Sequence, residues 1–297
     1  MKFRFNKIIM IQSLSPEHEN SELGKPGPLL YDTINKKLTE LKSQKLIDEQ
    51  VDCEYLHVNS LADWEALSHS LVQQTQEGAR PILHFICHGD KKEGMSIWDS
   101  ASNRYVDLSW ANLYSVFTEI NVHSHNNLFV SMCVCEAFWG LVRLLSDDRI
   151  PFTGIVASPD SIYAIDAETR FPQFYAALLT NMNISAAMQE LKDGYERIVK
   201  QYGDEYAADI KVEFSEVLFL NAYQAETEKR RNPSYLRQRA IEAFQAEGVL
   251  PTNDLIQAYT DNYLSHYQED YRNIRDLKFM FDIYPEERDR FDFPDEI

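Results

Sequence analysis

Two apolar runs in this 297-residue chain stop on side chains capable of nucleophilic chemistry. "PILHFICHGD" closes on His88 and Gly89, and "NNLFVSMCVCEAFWG" carries Cys133 and Cys135 before the pattern turns helical. Each run reads as a buried strand. In a parallel sheet with crossover helices the strands end on one edge, and sites form there. An imidazole and a thiol on that edge make a base and a nucleophile. The imidazole takes the thiol proton, the thiolate attacks a carbonyl, and the proton passes on to the leaving amine. Attack on an amide also needs donors for the oxyanion. The backbone N–H groups of Gly89 and Cys135 are the candidates, because Gly89 has no Cβ to hold a carbonyl away. A helix opening just after Cys135 would add its dipole in favour of thiolate and oxyanion.

Other residues of these runs compete for the same roles. Cys133 and Cys135 share a strand face by period-two geometry, so a strand that ended earlier would make Cys133 the nucleophile. Cys135 is favoured because Glu136 and a helix follow it. His84 shares a face with His88 and reads as a packed core imidazole. Cys87 points the other way into the core. His84, His88, Cys133 and Cys135 are zinc-ligand types, but Cys-x-Cys in an extended strand splays its thiols, so no metal is expected.

The elements that must position these groups alternate over roughly 200 residues. Strands are expected at 3–14 and 51–59, at the His88 and Cys135 runs, and at "FTGIVASPDS". Helices are expected at 29–46, 61–78, after Ser109, from Ala137 to Leu145, and over "FPQFYAALL" and "ISAAMQELKDGYERIVKQY". "GMSIWDSASNRYVDL" reads as a hairpin. The fold class is therefore α/β, a mostly parallel sheet flanked by helices. From residue 205 helices dominate, so 1–204 is expected as the sheet domain and 205–297 as an acidic helical C-terminal segment. "DIKVEFSEVLFLNAY" is ambiguous between strand and helix. Helices are expected from Pro233 and Pro251. The Tyr259, Tyr263, Tyr267 and Tyr271 stripe reads as packing, and the terminal tail is expected to dock through Phe291 and Phe293.

Hydrophobic residues make up 44% of the chain, which supports a sizeable core. A net charge of −18 argues against direct nucleic-acid binding and against anionic membranes. No apolar run is long enough to span a bilayer. The four cysteines show no disulfide spacing, which points to the cytoplasm.

The ordered set of motifs resembles the caspase-like cysteine peptidases, in particular the bacterial CHAT-type branch. "HFICHGD" is similar to that family's His-Gly strand end and "LFVSMCVCEA" to its catalytic strand. "FTGIVASPDSIYAIDAETRFPQFYAALLTNMNISAAMQEL" resembles the next strand, exit loop and helices. Cys135 follows His88 by 47 residues, near the offset of about 50 residues in caspases. The likeness covers roughly residues 5–200. It implies endopeptidase activity on a protein substrate with His88 as base and Cys135 as nucleophile, needing no cofactor. It also implies gating by a protein or ligand activator, in bacterial stress or antiviral defence. The loop after "VAS" would help form the pocket for the residue before the cut. Asp160 and Asp166 there, with Ser158 lining it and Asp90 nearby, would favour Arg or Lys; the plainer reading makes them loop and cap residues. The sequence departs from the family after Cys-Glu, where Phe138 and Trp139 stand and glycine comes late, at Gly140. The alternative is a silent caspase-like module, its thiol blocked by Phe138 or Trp139, that binds a partner through the acidic helical segment.

Overall fold

The computed structural model describes residues 4–21, 25–142, 149–230, 232–246, 248–265 and 267–294. The chain divides into two compact units, residues 2–214 and 215–297.

The first unit is built on a mixed, mostly parallel sheet. Its strands are β1 (Lys7–Ser13), β2 (Asp52–His57), β3 (Pro81–Asp90), β4 (Gly94–Asp99), β5 (Arg104–Leu108), β6 (Phe129–Cys133), β7 (Gly154–Ala157) and β8 (Lys211–Phe214). The order is β2-β1-β3-β6-β7-β8, parallel except for β8, with β4 and β5 as an antiparallel hairpin leaving the end of β3. Strand order reverses between β1 and β3, and crevices at such a switch point lie outside the carboxyl ends of the strands.

The central strands β1, β3, β6 and β7 are largely apolar because both of their faces are covered. Ile9, Ile11, Leu83, Phe85 and Val130 face α3 (Leu61–Gln76), α4 (Trp110–His123) and α5 (Ala137–Val142). Ile8, Met10, Ile82, Ile86 and Cys133 face α2 (Pro26–Ser43), α6 (Ala164–Asn181) and α7 (Ile184–Tyr202). The helices begin at readable caps: Ser60 accepts from Asp63 N, Ser109 from Asn112 N, and Asn183 from Ser185 N. A four-residue helix, α1 (Pro16–Glu19), follows β1, opened by Ser15 and the proline after it.

The ambiguous segment near residue 210 resolves as both elements in turn: β8 pairs with β7, then α8 (Ser215–Arg230) begins. The charge and helix content that rise from residue 205 therefore precede a last edge strand of the sheet.

The second unit contains α8, α9 (Pro233–Ala246), α10 (Asn253–Ser265) and α11 (Tyr267–Lys278). Its tail docks through aromatic rings, as expected: Phe279 lies 4.6 Å from Phe293 and 5.3 Å from Phe291. Tyr271 is fully buried and donates to the Pro294 carbonyl at 3.2 Å. The side chains of Tyr263 and Tyr267, and residues 143–148 beyond α5, lie outside the described residues.

Candidate active site at the carboxyl edge of the sheet

The ends of β1, β3 and β6 surround a cavity of about 60 Å³, lined by Leu14, Ile86, Cys87, His88, Cys133 and Cys135. Pro26 at the start of α2 and Ile162, Tyr163, Ala164 and Ala167 around the start of α6 complete the wall. The recess thus sits beside the switch point, and it holds both the imidazole and the thiol singled out from sequence.

His88 continues the α2/α6 face of β3. Burial, and next the neighbouring His18, hold its imidazole below the ordinary value, so it is the neutral, basic form near pH 7. The strand β6 stops at Cys133, earlier than the apolar run suggests, so Cys135 sits in the turn two residues beyond it and no longer shares a strand face with Cys133. Cys133 is nevertheless the buried thiol and Cys135 the part-exposed one. Glu136, directly after it, takes a left-handed backbone with φ of 57°, which costs a non-glycine residue about 1 kcal/mol. That turn swings the chain from β6 into α5. It is fastened on both sides: Glu136 N donates to the Asp160 carbonyl at 2.9 Å, and its carboxylate accepts from Lys91 N at 3.2 Å.

Gly89 has a second reason to lack a Cβ. One built there would collide with the Val134 side chain and lie 2.9 Å from the Cys135 carbonyl oxygen. The glycine is what lets the two strand ends close on each other. Two of the amides at the entry to α5 are already taken. The amides of Glu136 and Phe138 are engaged by the Asp160 and Ser158 carbonyls.

The other thiols are unsuited to attack. Burial pushes Cys133 and Cys87 far up, and burial followed by Asp52 and Glu54 pushes Cys53 up to about 12. His84 is a core imidazole: its Nδ1 lies 2.9 Å from Ser131 Oγ and 3.2 Å from the Tyr175 hydroxyl. Burial drives its value down to about 3. Its unfolded counterpart takes up a proton below about 6.5, which the folded form refuses, so stability falls as pH drops through that window. Between pH 7 and pH 5 this group alone removes about 2 kcal/mol. Urea denaturation of His84→Gln is expected to be flatter over that range by that amount; an unchanged slope contradicts the buried neutral form.

The residues expected to line a basic-specificity pocket are placed elsewhere, and none lines the cavity. Asp166 is fully buried within α6. Its Oδ1 accepts from Arg170 at 2.8 Å, and its Oδ2 accepts from Ala208 N at 3.0 Å and Tyr163 N at 3.3 Å. Ser158 is buried, its Oγ accepting from Asp160 N at 3.2 Å. Asp160 and Asp90 are exposed, and Asp90 caps the turn that follows it through Lys92 N and Glu93 N. Those backbone bonds hold its carboxyl below the usual carboxylate range. Phe138 packs into the core on the α5 side, and Lys211 Nζ sits 5.6 Å from its ring and 5.7 Å from that of Trp139. Neither ring lines the cavity. The late Gly140 is explained by Trp110, whose indole occupies the space a Cβ would need. The same indole donates to the Asp90 carbonyl at 2.9 Å.

Two residues not foreseen meet His88. His18 of α1 places Nδ1 2.9 Å from His88 Nε2, and the Tyr105 hydroxyl of β5 lies 2.8 Å from the same His18 nitrogen. Ser15 and Pro16 announce α1 as a helix start, and hairpin periodicity places Tyr105 opposite Trp98. Only the tertiary fold brings them together.

No family model matches the chain, and no curated protein matches it. Among solved structures, Raptor from Chaetomium thermophilum is similar over 68% of this chain and 20% of that one. Identity is 11% and the TM-score 0.37, too loose a likeness to carry chemistry across. Among the described residues no helix is long and apolar enough to cross a membrane.

Proposed function

We propose that this chain is a cysteine endopeptidase of the caspase-like, CHAT-type kind. One observation carries the reading: a single recess at the carboxyl edge of the sheet is lined by both His88 and Cys135. His88 removes the thiol proton, and the Cys135 sulfur forms a bond to the scissile carbonyl carbon. The carbon–nitrogen bond then breaks as His88 returns the proton to the leaving amine. Water, deprotonated by His88, releases the acyl group and restores the thiol. The Gly89 and Cys135 amides are the proposed oxyanion donors. None of these steps calls for a metal or an organic cofactor.

The recess wall is apolar and small, which suits a small apolar side chain beside the cut better than Arg or Lys. A free thiol nucleophile fits the reducing cytoplasm. Gating by a protein or ligand, and a role in bacterial stress or antiviral defence, come from the family resemblance.

Thiol mapping tests the assignment without knowledge of the substrate. Under limiting iodoacetamide, Cys135 is expected to react at least about tenfold faster than the three buried thiols. Faster labelling of Cys53, Cys87 or Cys133 in the folded protein overturns it.

A further inference from the structure

We infer that His18 and Tyr105 are positioning residues that decide which ring nitrogen of His88 carries its proton. The inference rests on the proposed role of His88 as base and adds two groups to it.

The residues come from three elements: α1, β3 and β5. His88 and His18 meet edge to face, with ring centroids 4.8 Å apart and planes at 74°. Two imidazole nitrogens 2.9 Å apart must share one proton, one donating and one accepting. In the first arrangement the single lone pair of His18 Nδ1 is shared between two donors, His88 Nε2–H and the Tyr105 O–H. The other nitrogen of His88, Nδ1, then keeps its lone pair and can act as a base. In the second, His18 Nδ1–H donates, neutral His88 carries its proton on Nδ1, and no free lone pair remains for a thiol.

The base role proposed for His88 requires the first arrangement. The Tyr105 oxygen accepts from Ser15 N at 2.9 Å and lies 2.8 Å from His18 Nδ1, so a hydroxyl hydrogen turned toward that nitrogen keeps it an acceptor. The hairpin that carries Tyr105 is fastened: Ser13 Oγ accepts from Trp98 N at 2.8 Å and donates to the Val58 carbonyl at 2.6 Å. When His88 takes up the thiol proton both its nitrogens carry hydrogen, and His18 Nδ1 still accepts from Nε2–H. A neutral His18 thus orients the imidazolium as the carboxylate of a Ser-His-Asp triad does, without that group's negative charge. A protonated His18 opposes it, N–H against N–H. The other titratable groups on the elements that carry this relay are Glu17 and Glu19 of α1, His84, Cys87 and Asp90 of β3, and Arg104 and Asp107 of β5. Glu19 is bonded to His57 Nδ1 at 3.0 Å.

The test combines nitrogen-15 NMR of His88 with the alkylation rate of Cys135, in wild type, His18→Gln, His18→Leu and Tyr105→Phe. Thermal melting confirms that each variant is folded. Wild-type His88 is expected as the Nε2–H tautomer at neutral pH. His18→Leu should disturb that tautomer and slow Cys135 at least about tenfold. His18→Gln, whose amide oxygen can accept from Nε2–H, should restore both. Tyr105→Phe should shift the tautomer toward Nδ1–H. An Nδ1–H tautomer in wild type, or a His18→Leu variant unchanged in tautomer and rate, overturns the inference. An unreactive Cys135 alongside the expected tautomer changes rejects the peptidase reading alone.

Discussion

Replacing Cys135 by alanine is expected to reduce cleavage of a reporter peptide to background, a loss of at least about 10⁴-fold. On the proposed mechanism the variant lacks the atom that bonds to the carbonyl carbon, so only substrate binding and oxyanion contacts are left. Cys133→Ala is the informative control. Cys133 lines the same cavity two residues earlier, yet it is 8% exposed and burial keeps it a neutral thiol. It is expected to retain most of the activity. Single-turnover assays on reporters varied at the residue before the cut separate the two variants and read specificity together. Loss of cleavage in Cys133→Ala with activity kept in Cys135→Ala moves the nucleophile to Cys133.

Asp166→Ala is expected to destabilise the fold by about 3–5 kcal/mol, because it leaves Arg170 charged and buried without its partner. Both side chains are almost wholly inaccessible, at 0% and 2% exposure. Arg170 also donates to the Leu191 and Ala208 carbonyls at 3.0 and 2.6 Å, so it cannot swing out to water without breaking the α6–α7 contact. Gly194 of α7 adds to the constraint, since a Cβ there would lie 2.7 Å from Arg170 Cγ. Urea denaturation measures the effect. A variant of unchanged stability that loses cleavage after Arg or Lys returns Asp166 to a substrate pocket.

What was legible in the sequence was local. The apolar runs of β1, β3 and β6 announce a buried sheet, and Ser109 announces a helix start. Gly89 was marked as a place of close backbone approach, although what approaches it includes the chain's own Val134 and Cys135. The start of α6 was hidden because "SPDSIYAID" has loop composition and Pro172 falls inside the helix. With a helix read from "FPQFYAALL" alone, Asp166 falls outside it, and its i,i+4 pairing with Arg170 is visible only once α6 starts at Ala164. Strand and helix followed one another at Lys211–Phe214 and Ser215–Arg230, where a single periodicity could not describe both. His18 and Tyr105 carry ordinary local signals. Their meeting with His88 depends on β1 and β3 lying side by side and on the hairpin folding back toward the exit of β1, which no window of sequence contains.

The pairing of one imidazole with one thiol is tested most directly by the alkylation rate of Cys135 at neutral pH in wild type and in His88→Gln. The wild-type rate is expected to exceed that of the variant at least about tenfold, because the variant has no base to take the thiol proton. Equal rates in two folded proteins contradict the account.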